Sequence, residues 1–107
     1  MPGSSKYLLL AHKSLPRFRV VITDSGKKDL EGIQANLRAK LLQKLKILET
    51  SPFPTVKSIK KIKISRKIPL FRLRFGQYRI IYHVRDNVVY ILAVVHRKQF
   101  DSALEQR

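Results

Sequence analysis

The sequence predicts an α+β fold, in which one strand is followed by a helical hairpin and then by an antiparallel β-meander. Three observations support this prediction: an alternating apolar pattern near the start, apolar residues at helical spacing in the middle, and strand-like segments joined by short turns towards the end. The chain has 107 residues, of which 44% are hydrophobic, enough to form one core. We therefore expect a single domain over residues 17–107, preceded by a tail or an extra packing segment over residues 1–16.

The first strand is expected over Arg17–Thr23, where every second residue is apolar. Thr23 or Asp24 can cap the helix that follows. After this point the apolar residues recur every three or four positions, as on one face of a helix: Leu30, Ile33, Leu37, Leu41, Leu45 and Leu48. Asn36 is expected to divide this region into a short and a longer helix. The helical region should end at Thr50–Pro54, because proline lacks an amide hydrogen and disfavours helix before it.

The remainder of the chain is expected to form sheet. A short first piece is marked by three isoleucines: Ile59, Ile62 and Ile64. Three strands then follow, at Leu70–Phe75, Tyr78–Arg85 and Val88–Val95. The links Gly76-Gln77 and Asp86-Asn87 separate them, since Gly-x fits a type II′ turn and Asp-Asn tolerates positive φ. Links this short join antiparallel neighbours, which predicts the meander.

The formal net charge of +16 predicts a polyanionic partner, which could be nucleic acid, an anionic membrane or an acidic protein. The chain has no cysteine, which excludes disulfides, thiolate chemistry and cysteine-ligated zinc. No apolar run approaches the roughly 18–20 residues of a membrane span. The apolar cluster Tyr7–Ala11 is shorter than a secretory signal requires. We therefore expect a cytoplasmic protein without a membrane partner.

Basic side chains collect on one side of the predicted meander. The segment Thr50–Arg85 contains no acidic residue. If Gly76-Gln77 is a two-residue turn, Arg74 lies opposite Arg79, and residues directly opposite in an antiparallel pair point to the same side. Arg72 then shares that side. We call the side of the sheet that carries Arg72, Arg74 and Arg79 the arginine face.

A second two-residue turn, at Asp86-Asn87, would place Arg79 opposite Val94. His96 would then lie on the arginine face, one diagonal step from Arg79, with roughly 7 Å between the backbones. Guanidinium groups without carboxylate partners contribute poorly to stability, but they bind phosphate oxygens through paired hydrogen bonds. The sequence therefore predicts a nucleic-acid-binding surface.

Three segments resemble one protein family. Leu70–Tyr82, with the sequence LFRLRFGQYRIIY, resembles the LYRLRVGDYRVIY core of the RelE/ParE toxin superfamily, and Val94–Lys98 is similar to its VGHRR strand end. Phe18–Thr23 with Lys28–Leu30 resembles its first strand and the start of its helical hairpin. The resemblance implies a microbial-RNase-like RelE fold. For RelE members it also implies a toxin of a type II toxin–antitoxin system that cleaves mRNA in the ribosomal A site, by attack of a ribose 2′-OH on the adjacent phosphate.

The resemblance implies catalytic roles for Arg79, Arg72 and His96. The arginines would stabilise the negative charge of the transition state, and His96 is the candidate general acid or base because an imidazole titrates near neutrality. The residues expected to bind the RNA substrate are Arg74, Arg97, Lys98, Lys61, Lys63, Arg66 and Phe100. Many RelE members have a tyrosine in this last region, whereas Phe100 can stack on a base but cannot transfer a proton. RNA supplies its own nucleophile and the carboxylates are dispersed, so we expect neither a metal nor another cofactor.

Two other functions remain open at this point. The ParE branch shares the fold, but it binds and poisons DNA gyrase, is not a nuclease, and typically lacks the pairing of histidine with arginine. A non-catalytic RNA-binding module would also account for the charge. Besides mRNA and the ribosome, the expected partner is an acidic antitoxin protein, which would cover the arginine face or displace an element that supports it.

Overall fold

The computed structural model describes residues 17–62 and 68–105, with side chains placed up to residue 101. The elements in chain order are β1 (Arg19–Ile22), α1 (Asp24–Glu31), α2 (Ala35–Lys44), a 3₁₀ helix (Leu45–Glu49), β2 (Ile59–Ile62), β3 (Leu70–Phe75), β4 (Tyr78–Arg85), β5 (Val88–His96) and α3 (Arg97–Glu105). This order of one strand, a helical hairpin and antiparallel strands confirms the predicted α+β class. The expected N-terminal tail or packing segment, residues 1–16, lies outside the described residues.

The five strands form one mixed sheet in the order β1-β5-β4-β3-β2. Strands β2 to β5 are antiparallel neighbours, as the predicted meander requires. Strand β1 instead pairs in parallel with β5, with Arg19 beside Val88 and Ile22 beside Ile91. The first and last strands are therefore neighbours, and the helical layer that follows β1 covers one face of the sheet.

We call the face of the sheet that the helices cover the helix-bearing face. The core lies between this face and the helices. Fully buried side chains come from both layers, among them Leu41 of α2 and Leu73 and Ile80 of the sheet. Tyr82 is also fully buried, and its hydroxyl donates a 2.7 Å hydrogen bond to the carbonyl oxygen of Pro52. Burial raises the pKa of Tyr82, so the hydroxyl stays protonated and keeps donating. This bond ties the proline segment that follows the helical layer to the central strand β4.

The predicted helical hairpin forms, but its break lies before Asn36. As expected, Thr23 caps α1, its hydroxyl oxygen accepting a backbone amide from the first turn. α1 ends because Gly32 turns its amide back onto carbonyl oxygens of the last turn, and Gln34 takes an extended conformation before α2. Asn36 therefore lies in the first turn of α2, where it interrupts nothing.

Both predicted two-residue turns are confirmed. Gly76 has φ of 55°, which fits the first position of a type II′ turn. Asp86 and Asn87 have φ of 51° and 63°, the left-handed pair that a type I′ turn requires. The first turn gives the predicted register of β3 and β4, in which Arg74 lies opposite Arg79.

The predicted register of β4 and β5 is wrong beyond Leu92. Tyr82 lies opposite Ile91, but Ile81 lies opposite Ala93, so Leu92 is an extra residue without a partner on β4. Such a β-bulge shifts the pairing by one position. The residues of β5 after the bulge therefore face the side of the sheet opposite to the predicted one.

Side chains of α1 hold this bulge. The Ser25 hydroxyl donates a 2.7 Å hydrogen bond to the carbonyl oxygen of Leu92, and the Asp29 carboxylate accepts the amide of Val94 at 2.8 Å. Strand β1 ends at Ile22, so it does not reach these backbone groups of β5. The two α1 side chains satisfy these two groups in its place, which stabilises the bulge.

The helix α3 was not predicted, since no element is expected beyond Val95. The backbone amide of Arg97 donates a 2.7 Å hydrogen bond to the carbonyl oxygen of Gln77, which attaches the start of α3 to the β3–β4 turn. Phe100 is only 9% exposed, yet it does not belong to the core beneath the helices. The sequence signal for α3 is the apolar spacing of Phe100 and Leu104.

The close approach of α1 to β5 predicts the effect of substituting Gly26. A β-carbon at Gly26 would lie 2.8 Å from the carbonyl oxygen of Ile91 and 3.3 Å from Cγ2 of Ile22. Because the first of these atoms is backbone, the helix must move away from the strand. We expect Gly26→Ala to lower the free energy of unfolding by about 1–3 kcal/mol, although alanine favours helix more than glycine does.

Urea unfolding measures this difference, and Gly32→Ala is the matched control. A β-carbon at Gly32 has its nearest neighbour at 3.5 Å, an ordinary contact, so this variant should be as stable as the parent. Equal stability of the Gly26→Ala variant would contradict the tight seating of α1 on β5.

Candidate nucleic-acid interface

Three arginines share one face of the sheet, opposite to the helices. Arg74 and Arg79 are directly opposite each other on β3 and β4, and Arg72 lies opposite Ile81, one diagonal step from Arg79. The predicted arginine face is therefore confirmed for these three residues. Lys60 of β2 lies opposite Arg72 and adds a fourth cation to the same side.

Backbone carbonyl groups orient two of these side chains. Nη1 of Arg72 donates to the carbonyl oxygen of Ser58 at 3.1 Å. Nη1 of Arg79 donates to the carbonyl oxygens of Gly76 at 3.1 Å and Tyr78 at 2.9 Å. A guanidinium group carries five N–H donors, so each group keeps donors for a ligand, and neutral carbonyls leave its charge uncompensated.

The electrostatic environment of the arginine face is repulsive. Burial, then the charges of Arg79 and Arg74, lower the pKa of Arg72, and Asp101 of α3 opposes this with the smallest effect. Arginine remains protonated in spite of such shifts. Among the described side chains, the only ion pair joins the exposed Arg85 and Asp86, with Nε and Oδ2 3.8 Å apart. Within the part of the chain that the structure describes, no carboxylate forms an ion pair with the three arginines, so the face is positively charged, which favours an anionic ligand.

His96 does not join the arginines, and the predicted convergence of His96 with Arg79 is wrong. Arg79 lies opposite Val95, whereas His96 lies opposite Tyr78, a residue that packs against the core on the helix-bearing face. The rings of His96 and Tyr78 meet edge to face, with centroids 5.8 Å apart. The bulge at Leu92 is the cause, because it reverses the facing of every later residue of β5.

Two hydrogen bonds position His96, and one of them involves its imidazole. Its Nδ1 accepts the backbone amide of Lys98 at 3.2 Å, and its own backbone amide donates to Oε1 of Gln99 at 3.3 Å. The ring thus has a defined orientation, with Nε2 as the nitrogen that remains available. Arg97 and Lys98 are exposed at the start of α3.

Other predicted RNA-binding residues fall in different places. Lys61 lies opposite Phe71, so it points to the helix-bearing side, and its neighbour Lys60 takes the expected place on the arginine face. The burial of Phe100 removes its ring from the surface, which contradicts its expected role as a platform for a base. Lys63 and Arg66 lie outside the described residues.

The sequence offers Lys60 only as one of several basic residues between Lys60 and Arg66 that could orient the scissile phosphate, because the register of β2 against β3 depends on a connection longer than a tight turn. Within residues 17–62 and 68–105, no three side chains of the metal-ligating types come together. No helix of the described part is both long and apolar enough to cross a membrane.

The repulsion on the arginine face predicts that removing one charge stabilises the protein. Arg74 is exposed and lies directly opposite Arg79, so Arg74→Gln relieves like-charge repulsion without opening a cavity. We expect a gain of about 0.5 kcal/mol, or roughly 2–4 °C in Tm, at low salt. The gain should shrink as added salt screens the charges.

Thermal unfolding at two salt concentrations tests this prediction. Lys40→Gln, on the exposed side of α2, removes one charge from the same chain without a directly opposite cation, and it should change Tm less. An Arg74→Gln variant that melts below the parent would mean that Arg74 has a stabilising partner.

Comparison with known proteins identifies the family to which this fold belongs. A family model described as ParE toxin of type II toxin-antitoxin system, parDE, matches residues 20–99. No curated protein sequence matches the chain significantly.

Several solved toxin structures are similar to this chain. The archaeal RelE–RelB complex from Pyrococcus horikoshii OT3 matches with 32% identity and a TM-score of 0.64, over 76% of this chain and 96% of that chain. The RelBE toxin–antitoxin complex from Mycobacterium tuberculosis matches with 26% identity and a TM-score of 0.64, over 77% and 99%. The RelB–RelE complex from Methanococcus jannaschii matches with 25% identity and a TM-score of 0.60, over 78% and 96%.

The matched range of the family model spans β1 to the start of α3 and includes all three arginines of the arginine face. The resemblance of Leu70–Tyr82 to the RelE/ParE superfamily is therefore confirmed over residues 20–99. The chain belongs to the RelE/ParE superfamily of type II toxin–antitoxin toxins.

Proposed function

We propose that this toxin acts on RNA. It binds mRNA on the arginine face in the ribosomal A site and promotes cleavage by attack of a ribose 2′-OH on the adjacent phosphate. The observation that supports this most directly is the group of Arg72, Arg74 and Arg79, which share one face and have no carboxylate in ion-pair contact among the described side chains. Such a group costs stability and is best explained by a phosphate ligand.

The proposed chemistry needs cations more than it needs a cofactor. The 2′-oxygen loses its proton to solvent and attacks phosphorus, which gives a phosphorane with one more negative charge than the starting phosphodiester. The P–O5′ bond then breaks, which leaves a 2′,3′-cyclic phosphate on one fragment and a 5′-hydroxyl, protonated from solvent, on the other. Fixed guanidinium groups stabilise that charge in the transition state more than in the ground state, which is the condition for catalysis. RNA supplies the nucleophile itself, so the proposal includes no metal and no other cofactor.

Arg79 and Arg72 carry the catalytic role in this proposal. Arg79 is held at the β3–β4 turn by two backbone carbonyls, and Arg72 is held at Ser58, so both present donors without reorganisation. Arg74, Lys60, Arg97 and Lys98 are exposed and would bind the neighbouring phosphates. In this proposal His96 does not transfer a proton beside Arg79, because its ring packs against Tyr78 on the helix-bearing side.

The proposed partner that controls this activity is an acidic antitoxin. Similar toxins from Pyrococcus horikoshii, Mycobacterium tuberculosis and Methanococcus jannaschii were solved as complexes with antitoxins. A net charge of +16 would attract an acidic protein at long range and favour fast association.

Cleavage of mRNA on programmed ribosomes, with EDTA present, tests the proposed function. We expect cut message with the parent protein, and a loss of about tenfold or more with Arg79→Ala, because one transition-state donor is removed. His96→Ala should stay within about threefold of the parent, far from the roughly 100-fold loss that follows removal of a general acid or base.

Circular dichroism of both variants controls for folding. If His96→Ala loses as much activity as Arg79→Ala, His96 takes part in the reaction. That result would contradict its exclusion from catalysis, which rests on the register of β4 and β5. Uncut message with every variant would reject the nuclease.

The separation of His96 from Arg79 favours a second candidate, a ParE-like toxin that binds and poisons DNA gyrase without nuclease activity. Pairing of these two residues was the feature that distinguished the nuclease from the ParE branch, and the register of β4 and β5 removes it. Trapped gyrase–DNA complexes in the presence of the protein, together with uncut message on ribosomes, would select this candidate.

A further inference from the structure

We propose that a nucleobase of the bound RNA stacks on a second site of the arginine face, formed by the rings of His83 and Tyr90, while Arg19 and Arg85 bind its phosphates. This inference rests on the proposed action on RNA and identifies a contact of the same surface. It assigns a ligand to aromatic side chains that the proposed chemistry leaves unused.

The two rings form a ready platform. His83 of β4 and Tyr90 of β5 are directly opposite each other, with ring centroids 5.0 Å apart and planes inclined by 19°. Both residues are only half-buried, although they lie on the two central strands of the sheet. Because the two rings already stack on each other, a base can extend this stack on the outer face of one of them.

The platform is on the same face as the arginines. His83 is four residues from Arg79 along β4, so the two side chains point to the same side, about 13 Å apart. Arg72 lies opposite Ile81, midway between them. A single strand of RNA bound at Arg79 can therefore reach the platform along the face and pass Arg72 on the way.

Two arginines flank the platform at the next row of the sheet. Val88 of β5 pairs with Arg85 on β4 and with Arg19 on β1, so both arginines point to the same side as the rings. Both are exposed. The ion pair of Arg85 with Asp86 is long, 3.8 Å, and its side chains are 76% and 90% exposed, so water screens it and a phosphate can replace it.

A hollow of about 270 Å³ adjoins the imidazole. It is lined by Ile68, Pro69, His83, Val84 and Arg85. Ile68 is 49% exposed, so the hollow offers apolar surface beside a cation. The apolar surface suits the flat face of a base, and the cation suits the phosphate next to it.

These features favour RNA over the acidic antitoxin as the occupant. An acidic peptide needs cations, which the chain offers over much of its surface, and it gains little from two stacked rings. Every base has a π-face, so the rings bind bases with little sequence preference, while the arginines bind the phosphates.

Binding of a single-stranded RNA of about eight nucleotides tests the inference. All its riboses carry 2′-O-methyl groups, which removes the nucleophile and prevents cleavage during the measurement. By fluorescence anisotropy we expect His83→Leu and Tyr90→Leu each to weaken binding about tenfold, and Tyr90→Phe, which keeps the ring, to stay within about twofold. Thermal unfolding of each variant controls for stability.

A tryptophan reporter gives a readout that a purely structural role would not move. The chain has no tryptophan, so His83→Trp introduces a single fluorophore into the platform. Its emission should be quenched when the same oligonucleotide stacks on it. The phosphate contacts have their own signature, because each of Arg19→Gln and Arg85→Gln should reduce the slope of log affinity against log salt by about 0.7. Lys40→Gln on α2 is the control and should leave the slope unchanged.

Five outcomes would overturn the inference. If the two leucine variants bind the RNA as tightly as the parent while Arg79→Ala binds it more weakly, the platform is rejected but the proposed action on RNA is not. The same conclusion follows if the parent cuts message on ribosomes but does not bind the oligonucleotide. Slower single-turnover cleavage by His83→Leu at saturating RNA, with unchanged affinity, would make His83 a catalytic residue instead. Loss of binding to an oligoglutamate peptide but not to the RNA would make the surface a protein-docking site. A parent that neither binds nor cuts RNA rejects the proposed function as well.

Discussion

Hydrogen bonds from α1 stabilise the bulge of β5, and this bulge determines on which face of the sheet the residues of β5 after Leu92 lie. The side chains of Ser25 and Asp29 form hydrogen bonds with backbone groups of Leu92 and Val94, which β1 is too short to reach. These hydrogen bonds keep the two backbone groups paired where β5 carries an extra residue. The bulge directs Val94 into the core and His96 towards Tyr78. His96 is thereby kept off the arginine face, whose three arginines are brought together by the register of β3 and β4.

The arginine face is stabilised by its surroundings rather than by its own interactions. Burial, and then the like charges of Arg79 and Arg74, lower the pKa of Arg72, and carbonyl oxygens orient Arg72 and Arg79 without neutralising them. The core beneath the helices compensates this cost through fully buried residues such as Leu73, Ile80 and Tyr82. A surface that lowers stability while the rest of the domain supports it is typical of a binding or catalytic site.

Local sequence signals predicted the parts of the fold that local physics determines. Glycine at Gly76 and the Asp86-Asn87 pair define their turns, the first turn defines the register of β3 and β4, and that register brings the arginines together. The bulge at Leu92 could not be predicted in this way, because Val88–His96 is apolar at nearly every position and shows no alternation that would reveal a change of facing. The parallel pairing of β1 with β5 and the burial of Phe100 are likewise long-range packing effects.

The most direct test asks which face of the sheet binds RNA. In a protein labelled with ¹⁵N, the side-chain Nε–Hε resonances of Arg72, Arg74 and Arg79 can be followed by NMR while a 2′-O-methyl oligonucleotide is added. We expect these three resonances to shift together with increasing RNA, and the ring resonances of His96 to change little. Shifts confined to His96 and Tyr78, with the three arginine resonances unmoved, would contradict the assignment of the arginine face as the RNA-binding surface.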